Sequence, residues 1–369
     1  MLNLCRVLDI YRKDVQPLVL VPRGADPQSL EPFRKISTVR IVEAPDDLFG
    51  KRLRRWFQAI LFGSVPKLED WLDHCRADIV FEAADFLGRR PRRAVLAWIP
   101  DFQHRRLPGM FRIFDRLKRE LGFQAQTRSK RAIILSSAAA ERDCIEFYPH
   151  SRGKTCVVHF AIPQRKAIVP DETIREKYAL PAKYFYLPNQ FWQHKNHIAV
   201  VNALGKLQLR IPEMVVAVSG NPNDGQGGRY FRDISELINT LGLESMFRML
   251  GMIPYPDVNQ LLRSATALVN PSLFEGWSTT VEEAKALGVP LVLSNIDVHR
   301  EQAGSAAEFF DATSVRDVAR SLESAWNKLS PPSGDERASM AADATDARLR
   351  EFAEKFGNAM QRAIELSGK

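Results

Sequence analysis

The stretch ALVNPSLFEGWSTTVEEAKALGVPLVLSNIDVHREQAG (267–304) decides the fold. It predicts a short buried strand, a loop, a helix that ends at Gly288, and a second strand after Pro290. Thr279 with Glu282 three residues later is the pattern of a capping box, which marks where the helix should begin. Strand, loop, helix and strand in this order make one unit of a parallel α/β sheet.

The same alternation runs along the rest of the chain. Short runs rich in Val, Ile, Leu and aromatic residues, without strict alternation, are typical of strands buried on both faces of a parallel sheet. Such runs lie at 17–21, 38–43, 77–82, 94–99, 132–136 and 155–160, and again at 184–187, 214–220, 247–251, 267–270 and 290–294. Helical patterns lie between them, as at 233–243 and 256–265.

This alternation occurs twice, and the two halves are separated by 162–182. That segment carries three prolines and several charges, so we interpret it as a linker. We expect an α/β protein with two Rossmann-like, doubly wound domains, 1–165 and 166–345, followed by a helix over 346–369. Two such domains face each other across a cleft at the carboxyl ends of their strands, where ligands bind.

Composition excludes several classes of protein. Four scattered cysteines with no CxxC pair predict neither a zinc site nor a disulfide framework, and favour reduced thiols in a cytoplasmic protein. The start of the chain lacks a signal-peptide pattern, and no stretch reaches the roughly 18 consecutive apolar residues of a membrane span. We therefore expect a protein that is neither exported nor integral to a membrane.

Positive charge is concentrated in the first half of the chain. Residues 1–170 hold 31 Lys and Arg against 19 Asp and Glu, so this half carries a net charge of +12. The net charge of the whole chain is +8, so the remaining residues are net negative. The basic residues cluster at 51–55, 88–93, 104–106 and 116–120. This pattern favours an anionic membrane surface or an anionic acceptor. Nucleic acid is the weaker alternative because no nucleic-acid motif accompanies the charge, and a solvated basic face is the other.

The start of the helix in 267–304 is a candidate anion site. The backbone N–H groups of Thr279, Thr280 and Val281 have no partner within the helix, and the positive end of the helix dipole adds to them. Together they suit a diphosphate. Glu275 and Glu283 lie on either side and could each accept hydroxyl hydrogen bonds from a sugar. An ordinary capped helix with solvated glutamates has the same spacing, so both interpretations stay open here.

The pattern E-G-x₆-E (275–283), preceded by NPSLF and followed by A-x-A-x-G-x-P, resembles the signature of family 4 (group 1) glycosyltransferases. Segments 99–108 and 134–143 resemble first-domain segments of mannosyl- and rhamnosyltransferase-like members. Segment 184–197 is similar to the phosphate-clamp loop that opens the second domain in this family, and 247–254 to the strand whose following backbone reads the base. The four lie in the order expected. The resemblance implies the GT-B fold, a nucleotide-sugar donor as substrate, retention of the anomeric configuration and no need for a metal or other cofactor. Consistent with this, no Asp-x-Asp and no GxGxxG after a strand occur.

The resemblance also implies roles for single residues. Lys195 matches the lysine that contacts the donor phosphates, and Asn196 beside it could orient that lysine. Gln190 stands where the family usually has an arginine, so it brings a hydrogen bond but no charge; His194 or His197 could partly compensate. Glu275 is expected to hold the sugar and Glu283 the ribose. The donor is also expected to contact Gly276, Trp277, Ser278, Thr279, Thr280 and Val281.

The first domain offers two further candidates. Asp101 matches the aspartate of a His-Asp pair found in many relatives, but Pro100 replaces the histidine. His104 is the next residue able to contact sugar or acceptor, so Asp101 and His104 join Lys195 and Glu275 as candidate catalytic residues. Family members usually begin with a strand and a Gly-rich turn, whereas this chain begins in what reads as the following helix. We expect either a misplaced start or an active site that lacks one edge.

The sequence therefore predicts a cytoplasmic transferase, peripheral at the inner face of the membrane. It would move a hexose from a nucleotide-sugar to a glycan or lipid-linked acceptor in cell-envelope polysaccharide synthesis. A non-catalytic GT-B-like protein that binds a nucleotide-sugar or a partner is the main alternative, and a nucleotide-sugar epimerase is a weaker one. GDP-mannose, dTDP-rhamnose and UDP-hexoses all remain open as donors.

Overall fold

The computed structural model describes residues 1–45, 63–82, 86–222, 228–331 and 333–368. The basic cluster at 51–55 lies outside these ranges. The chain divides into two compact units, Met1–Ala161 with Ala347–Lys369, and Ile162–Asp346. The sequence prediction placed the corresponding boundaries after residues 165 and 345 and treated 346–369 as a separate helix. The C-terminal segment belongs to the first unit, so the chain leaves that unit and returns to it after completing the second.

The first unit contains two parallel sheets in its described part. β1 (Leu18–Pro22) pairs with β2 (Arg40–Ala44), while β3 (Ile79–Glu82), β4 (Ala94–Trp98), β5 (Ala132–Leu135) and β6 (Thr155–Val157) form a four-stranded sheet in that order. The helices are α1 (Leu2–Tyr11), α2 (Pro27–Arg34), α3 (Pro66–His74), α4 (Gln103–Arg106), α5 (Ile113–Arg128) and α6 (Ala138–Phe147). Each strand predicted in this half is present, although the last ends at Val157 rather than Phe160.

The second unit contains one six-stranded parallel sheet in the order β12-β11-β10-β7-β8-β9. Its strands are β7 (Phe185–Leu187), β8 (Val216–Ser219), β9 (Phe247–Gly251), β10 (Ala267–Asn270), β11 (Leu291–Ser294) and β12 (Ala307–Phe310). Its helices are α7 (Asp171–Lys177), α8 (His197–Leu207), α9 (Arg229–Leu241), α10 (Tyr255–Ser264), α11 (Thr279–Ala286), α12 (Asp297–Ala303), α13 (Val315–Lys328) and α14 (Gly334–Met340).

The strand order of this sheet locates its binding edge. Its first strand, β7, lies in the middle; the next two strands add on one side of it, and the last three on the other. The direction of winding therefore reverses between β7 and β10. In open parallel sheets of this kind, ligands bind at the carboxyl ends of the strands beside such a reversal.

The C-terminal helix α15 (Ala342–Ser367) completes the core of the first unit. Its buried residues Leu349, Phe352 and Phe356 recur every three or four positions and pack with Leu4 and Leu8 of α1. A helix with one apolar stripe is stable only when another element covers that stripe. The stripe of α15 therefore explains why the end of the chain returns to the first unit.

Two features of the second unit differ from the sequence prediction. The expected linker 162–182 contains helix α7, and its Ile174 and Leu180 are buried in the core of the second unit. The strand β12 was not predicted, because AEFF is only four residues long, is interrupted by a glutamate, and gives too weak a pattern. Among the described residues, no helix combines the length and the apolar character needed to cross a bilayer.

Candidate functional site

Two loops leave the sheet of the second unit where its winding reverses. Residues 188–196 follow β7 and residues 271–278 follow β10, and these two strands are neighbours. The backbone of the loops is joined directly, since Leu273 N donates to His194 O at 2.7 Å. The buried amide of Asn189 adds a 3.3 Å hydrogen bond to Asn270 Oδ1. The fold thus holds the two loops as one platform.

Asn196 fixes the end of the first loop. Its φ of +54° lies in the left-handed region, which asparagine adopts more readily than most residues, and it stands at the N-cap of α8. Its side-chain amide donates to Pro271 O at 3.2 Å and to Ala312 O at 3.0 Å. Asn196 therefore links the carboxyl ends of β7, β10 and β12, which holds the backbone next to Lys195 in place.

Lys195 and Glu275 meet on this platform. Lys195 Nζ lies 2.6 Å from Glu275 Oε1, and the two side chains are only 13% and 8% exposed. The Ser272 hydroxyl donates to the same carboxylate oxygen at 2.7 Å. Burial alone would raise the pKa of Glu275, but the charge of Lys195, the nearby His299 and these hydrogen bonds outweigh it and lower the pKa to about 2. Glu275 is therefore ionised and can only accept hydrogen bonds.

His299 of α12 was not singled out from the sequence. It is fully buried, and its Nδ1 lies 3.0 Å from both Ser294 O and Ser294 Oγ. The Ser294 hydroxyl donates to Ser272 O, so both partners of Nδ1 are acceptors and the ring proton sits on Nδ1. Its Nε2 has no hydrogen-bond partner among the described residues. Burial lowers the pKa of His299, although the nearby Glu275 carboxylate partly opposes this.

The start of α11 corrects the predicted capping box. The N-cap is Ser278, one residue before Thr279, and its side chain caps nothing. Gln302 holds Ser278 instead, because its amide accepts from Ser278 N at 3.0 Å and donates to Ser278 O at 2.8 Å. Glu282 bonds to Lys285 at 2.9 Å rather than to the start of the helix. The side chain of Gln302 thus replaces the local cap.

The anion-binding features expected at this helix start rest on backbone groups. Val281 is fully buried in the core of the second unit, so it can offer a ligand only its N–H. Thr279 is exposed, and Thr280 Oγ1 lies 3.1 Å from Ser278 Oγ. Gly276 and Trp277 are half-buried in the loop just before the helix. Helix geometry leaves the N–H groups of the first turn without intrahelical partners, as an anion site requires.

Glu283 lies in a different environment from Glu275. It is 5% exposed and accepts a short hydrogen bond from the Tyr255 hydroxyl. Burial raises its pKa, and Tyr255 and Arg165 offset that only in part. The Arg165 guanidinium stands 4.4 Å from the centre of the Tyr255 ring. Sequence analysis missed Tyr255 and Arg165, because no local pattern connects them to a glutamate on another helix.

Gln190 and His197 do not supply the missing charge beside the loop after β7. Gln190 Oε1 accepts from Asn221 N at 2.7 Å, so it joins the ends of β7 and β8. The close approach requires glycine at Gly220, where a Cβ would lie 2.2 Å from Asn189 O. His197 is buried against Phe191, and burial lowers its pKa to about 3. The expectation that His197 compensates for an arginine is therefore wrong.

The two first-unit candidates are held by neighbouring groups. Asp101 Oδ1 accepts from Gln103 N at 3.0 Å and from Arg119 Nη1 at 3.3 Å. His104 is 1% exposed, lies 3.3 Å from the Tyr148 hydroxyl, and burial lowers its pKa. The structure thus holds Asp101 between the start of α4 and Arg119 in the middle of α5, and places His104 in an aromatic cluster. His104 has little surface to offer an acceptor in this arrangement.

Within the described ranges, no three His, Cys, Asp or Glu side chains are grouped so that they could hold a metal ion. The groups predicted to meet a ligand in the second unit include the side chains of Lys195, Glu275 and Glu283 and the N–H groups at the start of α11. These groups suit a ligand that carries both an anion and hydroxyls.

Comparison with known proteins agrees with this geometry. The family model for glycosyl transferases group 1 matches residues 170–344. The serotype-specific mannosyltransferase WbdA of Escherichia coli is 26% identical over 204 residues, which is 53% of this chain and 24% of WbdA. The chain thus spans about a quarter of the length of the curated relative it matches.

Solved structures resemble the chain over nearly its whole length. HepE of Anabaena, solved in complex with UDP-glucose, has a TM-score of 0.66 at 16% identity, covering 100% of this chain and 96% of HepE. WaaG, a glycosyltransferase involved in lipopolysaccharide biosynthesis, has a TM-score of 0.61 at 15% identity, covering 100% and 95%. These similarities confirm the predicted GT-B class of α/β fold, and the match to the glycosyl transferases group 1 model lies in the second unit.

Proposed function

We propose that the chain is a retaining, metal-independent glycosyltransferase. It would transfer a hexose from a nucleotide-sugar to a glycan or lipid-linked acceptor in the synthesis of a cell-envelope polysaccharide. The observation that carries the proposal is the buried Lys195–Glu275 pair, 2.6 Å apart, on the binding edge of a group 1 domain. The basic first half of the chain supports a position at the surface of an anionic membrane.

The donor diphosphate would lie on the start of α11. The N–H groups of residues 279–281 and the helix dipole favour two phosphates there. An ammonium group has three donors, so Lys195 can keep its bond to Glu275 and still donate to a phosphate oxygen. As the bond from the sugar to the phosphate breaks, these fixed donors would stabilise the negative charge that develops on the leaving diphosphate.

Glu275 would orient the sugar rather than transfer a proton. With a pKa of about 2 it stays ionised and can accept hydrogen bonds from sugar hydroxyls. The acceptor proton would pass to the leaving phosphate, which lies on the same face of the sugar as the incoming hydroxyl when configuration is retained. Glu283 would accept from the ribose diol once the Tyr255 hydroxyl gives way.

The hexose and its nucleotide are inferred from the relatives. WbdA is named a mannosyltransferase, and HepE was solved with UDP-glucose, so GDP-mannose and UDP-glucose are the donors to test first. WaaG takes part in lipopolysaccharide biosynthesis, which supports an acceptor of the cell envelope.

A non-catalytic nucleotide-sugar-binding protein is the second candidate. Two observations favour it: Gln190 bonds to the backbone of Asn221 instead of carrying charge, and His104 is buried in the first unit. Such a protein would bind a nucleoside diphosphate or a nucleotide-sugar, but it would not cleave the nucleotide-sugar to release the nucleoside diphosphate.

Donor turnover separates the two candidates. The purified chain is incubated with GDP-mannose, dTDP-rhamnose, UDP-glucose or UDP-galactose, with and without EDTA, and nucleoside diphosphate release is measured. We expect release from one donor that EDTA does not change and that Lys195→Met lowers about 10²–10³-fold, with the anomeric configuration of the donor kept in the product. Binding of a nucleoside diphosphate by calorimetry, with no release from any donor, would instead identify the non-catalytic protein.

A further inference from the structure

Helix α5 of the first unit carries a row of exposed apolar side chains. Ile113, Phe114, Leu117 and Leu121 are 73%, 86%, 55% and 60% exposed. Three of them are spaced by four residues and so share one face, and Phe114 extends that face at the start of the helix. We call these four side chains the apolar stripe. Helices of soluble domains usually turn such a stripe toward the core, so its exposure indicates a binding surface.

The other face of α5 is what attaches the helix to the first unit. Arg119 donates to Asp101 at 3.3 Å, and the Tyr148 hydroxyl donates to Glu120 at 2.8 Å. Phe123 packs edge-on against Phe102, with ring centres 5.6 Å apart. These polar and aromatic contacts hold this face of the helix against the rest of the first unit. The outward direction of the apolar stripe is therefore built into the fold.

Basic side chains surround the exposed end of the helix. Arg112, Arg116 and Lys118 are all exposed. In the part of the chain that the structure describes, none of these three forms an ion pair. In the cluster at 88–93, Arg93 is buried against Glu69 at 2.9 Å and Arg92 pairs with Asp70 at 2.8 Å, while Arg89 and Arg90 are exposed. What distinguishes Arg112, Arg116 and Lys118 is that their charge lies beside the apolar stripe.

We propose that the apolar stripe inserts into the surface of an anionic bilayer, with Arg112, Arg116 and Lys118 contacting lipid phosphates. An exposed apolar helix face with basic flanks is the pattern of helices that lie in the membrane interface. The inference rests on the membrane position proposed above, and it places the contact on α5 rather than on the clusters 51–55 and 88–93. It also ties the membrane contact to Asp101, the candidate acceptor-side residue that holds α5.

Charge favours lipid over a second copy of the chain. If two stripes packed against each other around a two-fold axis, the flanking arginines of the two copies would come together with like charges. An anionic bilayer instead offers both an apolar layer and complementary charge. Self-association and capture of an acidic partner protein are the outcomes that would contradict the proposal.

The test is sedimentation of the full chain with vesicles of phosphatidylcholine alone or mixed with phosphatidylglycerol. Phe114→Ser/Leu117→Ser removes apolar surface, and Leu209→Ser is its control, since Leu209 is 94% exposed in the second unit. Arg112→Glu/Arg116→Glu reverses charge beside the stripe, and Arg89→Glu/Arg90→Glu is the matched control. Circular dichroism confirms folding, and donor turnover without vesicles is measured for every variant.

We expect the wild type and both controls to bind vesicles that contain phosphatidylglycerol but not vesicles of phosphatidylcholine alone. This binding should weaken as salt rises above about 0.15 M. The serine pair and the charge-reversed pair should each bind about tenfold less, or weaker still, with turnover in solution unchanged. Equal binding by wild type and the serine pair would overturn the role of the stripe, as would equal loss in the Arg89/Arg90 control. A wild-type dimer that the serine pair dissociates would also overturn it. If the vesicles are bound as expected but no donor is turned over, the proposal of membrane docking holds and the proposed transferase activity is rejected.

Discussion

The loop that carries Glu275 leads directly into helix α11, which carries Glu283, yet the two buried carboxylates have opposite environments. Glu275 meets an ammonium group and a hydroxyl, and its pKa falls to about 2. Glu283 meets only a tyrosine hydroxyl and a more distant arginine charge, and burial raises its pKa. The first environment stabilises a charge in the free protein, whereas the second disfavours one. The sugar end of the proposed donor site would thus be preformed, whereas a ribose would have to displace the Tyr255 hydroxyl from Glu283.

Removing the preformed charge should have the largest effect. Glu275→Ala leaves Lys195 buried without its partner, so we expect the second unit to lose about 3 kcal/mol of stability. Donor turnover should fall below detection, because the sugar loses its acceptor. Urea unfolding and nucleoside diphosphate release measure the two effects. Glu275→Gln is the control: it keeps the Ser272 contact but also removes the charge, so it should be destabilised nearly as much, and a variant as stable as the wild type would contradict the charge argument.

Lys195→Met tests the same pair from the other side. Turnover should fall about 10²–10³-fold, the range seen when one fixed donor to a developing charge is lost. Without the ammonium group, burial should raise the pKa of Glu275 above its ordinary value of 4.5. In the wild type, a lowered pKa adds stability above about pH 4.5 that is lost as the pH falls toward 2.

The variant should therefore lose the stability that the wild type gains above pH 4.5, and acid unfolding should begin at a higher pH. Thermal unfolding from pH 3 to pH 8 measures this change. Identical pH profiles for the variant and the wild type would show that the pair does not control Glu275.

Glu283→Gln should separate stability from binding. A raised pKa means that the protein loses stability as the pH rises through it, so the neutral variant should melt about 2–4 °C higher at pH 8. The gain should shrink at pH 4, where the wild-type carboxyl is also neutral. Donor affinity should fall about tenfold, because a neutral acceptor binds the ribose diol less strongly. Scanning calorimetry measures the melting temperature, and titration calorimetry measures the affinity. An unchanged affinity for the nucleoside diphosphate would show that Glu283 does not bind it.

Tyr255→Phe should have the smallest effect. It removes the hydroxyl that Glu283 uses in the free protein, at a cost of about 1 kcal/mol at pH 8. Affinity for the donor should stay within about twofold of the wild type, since the ribose would displace that hydroxyl in any case. Arg165 still faces the carboxylate in this variant. An affinity loss as large as that of Glu283→Gln would show that Tyr255 itself binds the donor.

Local pattern predicted much of this site. The strand, loop and helix around E-G-x₆-E, and the lysine before α8, are where the sequence placed them, because short-range periodicity and turn residues determine them. The reversal of winding between β7 and β10 follows from repeated β–α alternation. Most strands were found for the same reason.

The rest depends on contacts that no window of sequence contains. His299 reaches Glu275, and Tyr255 reaches Glu283, only because strand order brings their helices beside α11. Gln302 takes over the role expected of a local capping box, since a side chain from α12 satisfies Ser278. His104 looked like a loop residue at a binding edge, but the aromatic rings of Phe123 and Tyr148 enclose it. Tertiary packing decided each of these cases.

The return of the chain to the first unit after residue 346 has a consequence during synthesis on the ribosome. When the ribosome has just added residue 161, the nascent chain contains the strands of its first unit but not α15, which covers part of their apolar surface. At about 5–20 residues per second, roughly 10–40 s pass before that helix is made. Meanwhile the second unit, whose residues are contiguous, can fold. The part of the molecule translated first is therefore the part completed last, and its uncovered face is where a chaperone would be expected to bind.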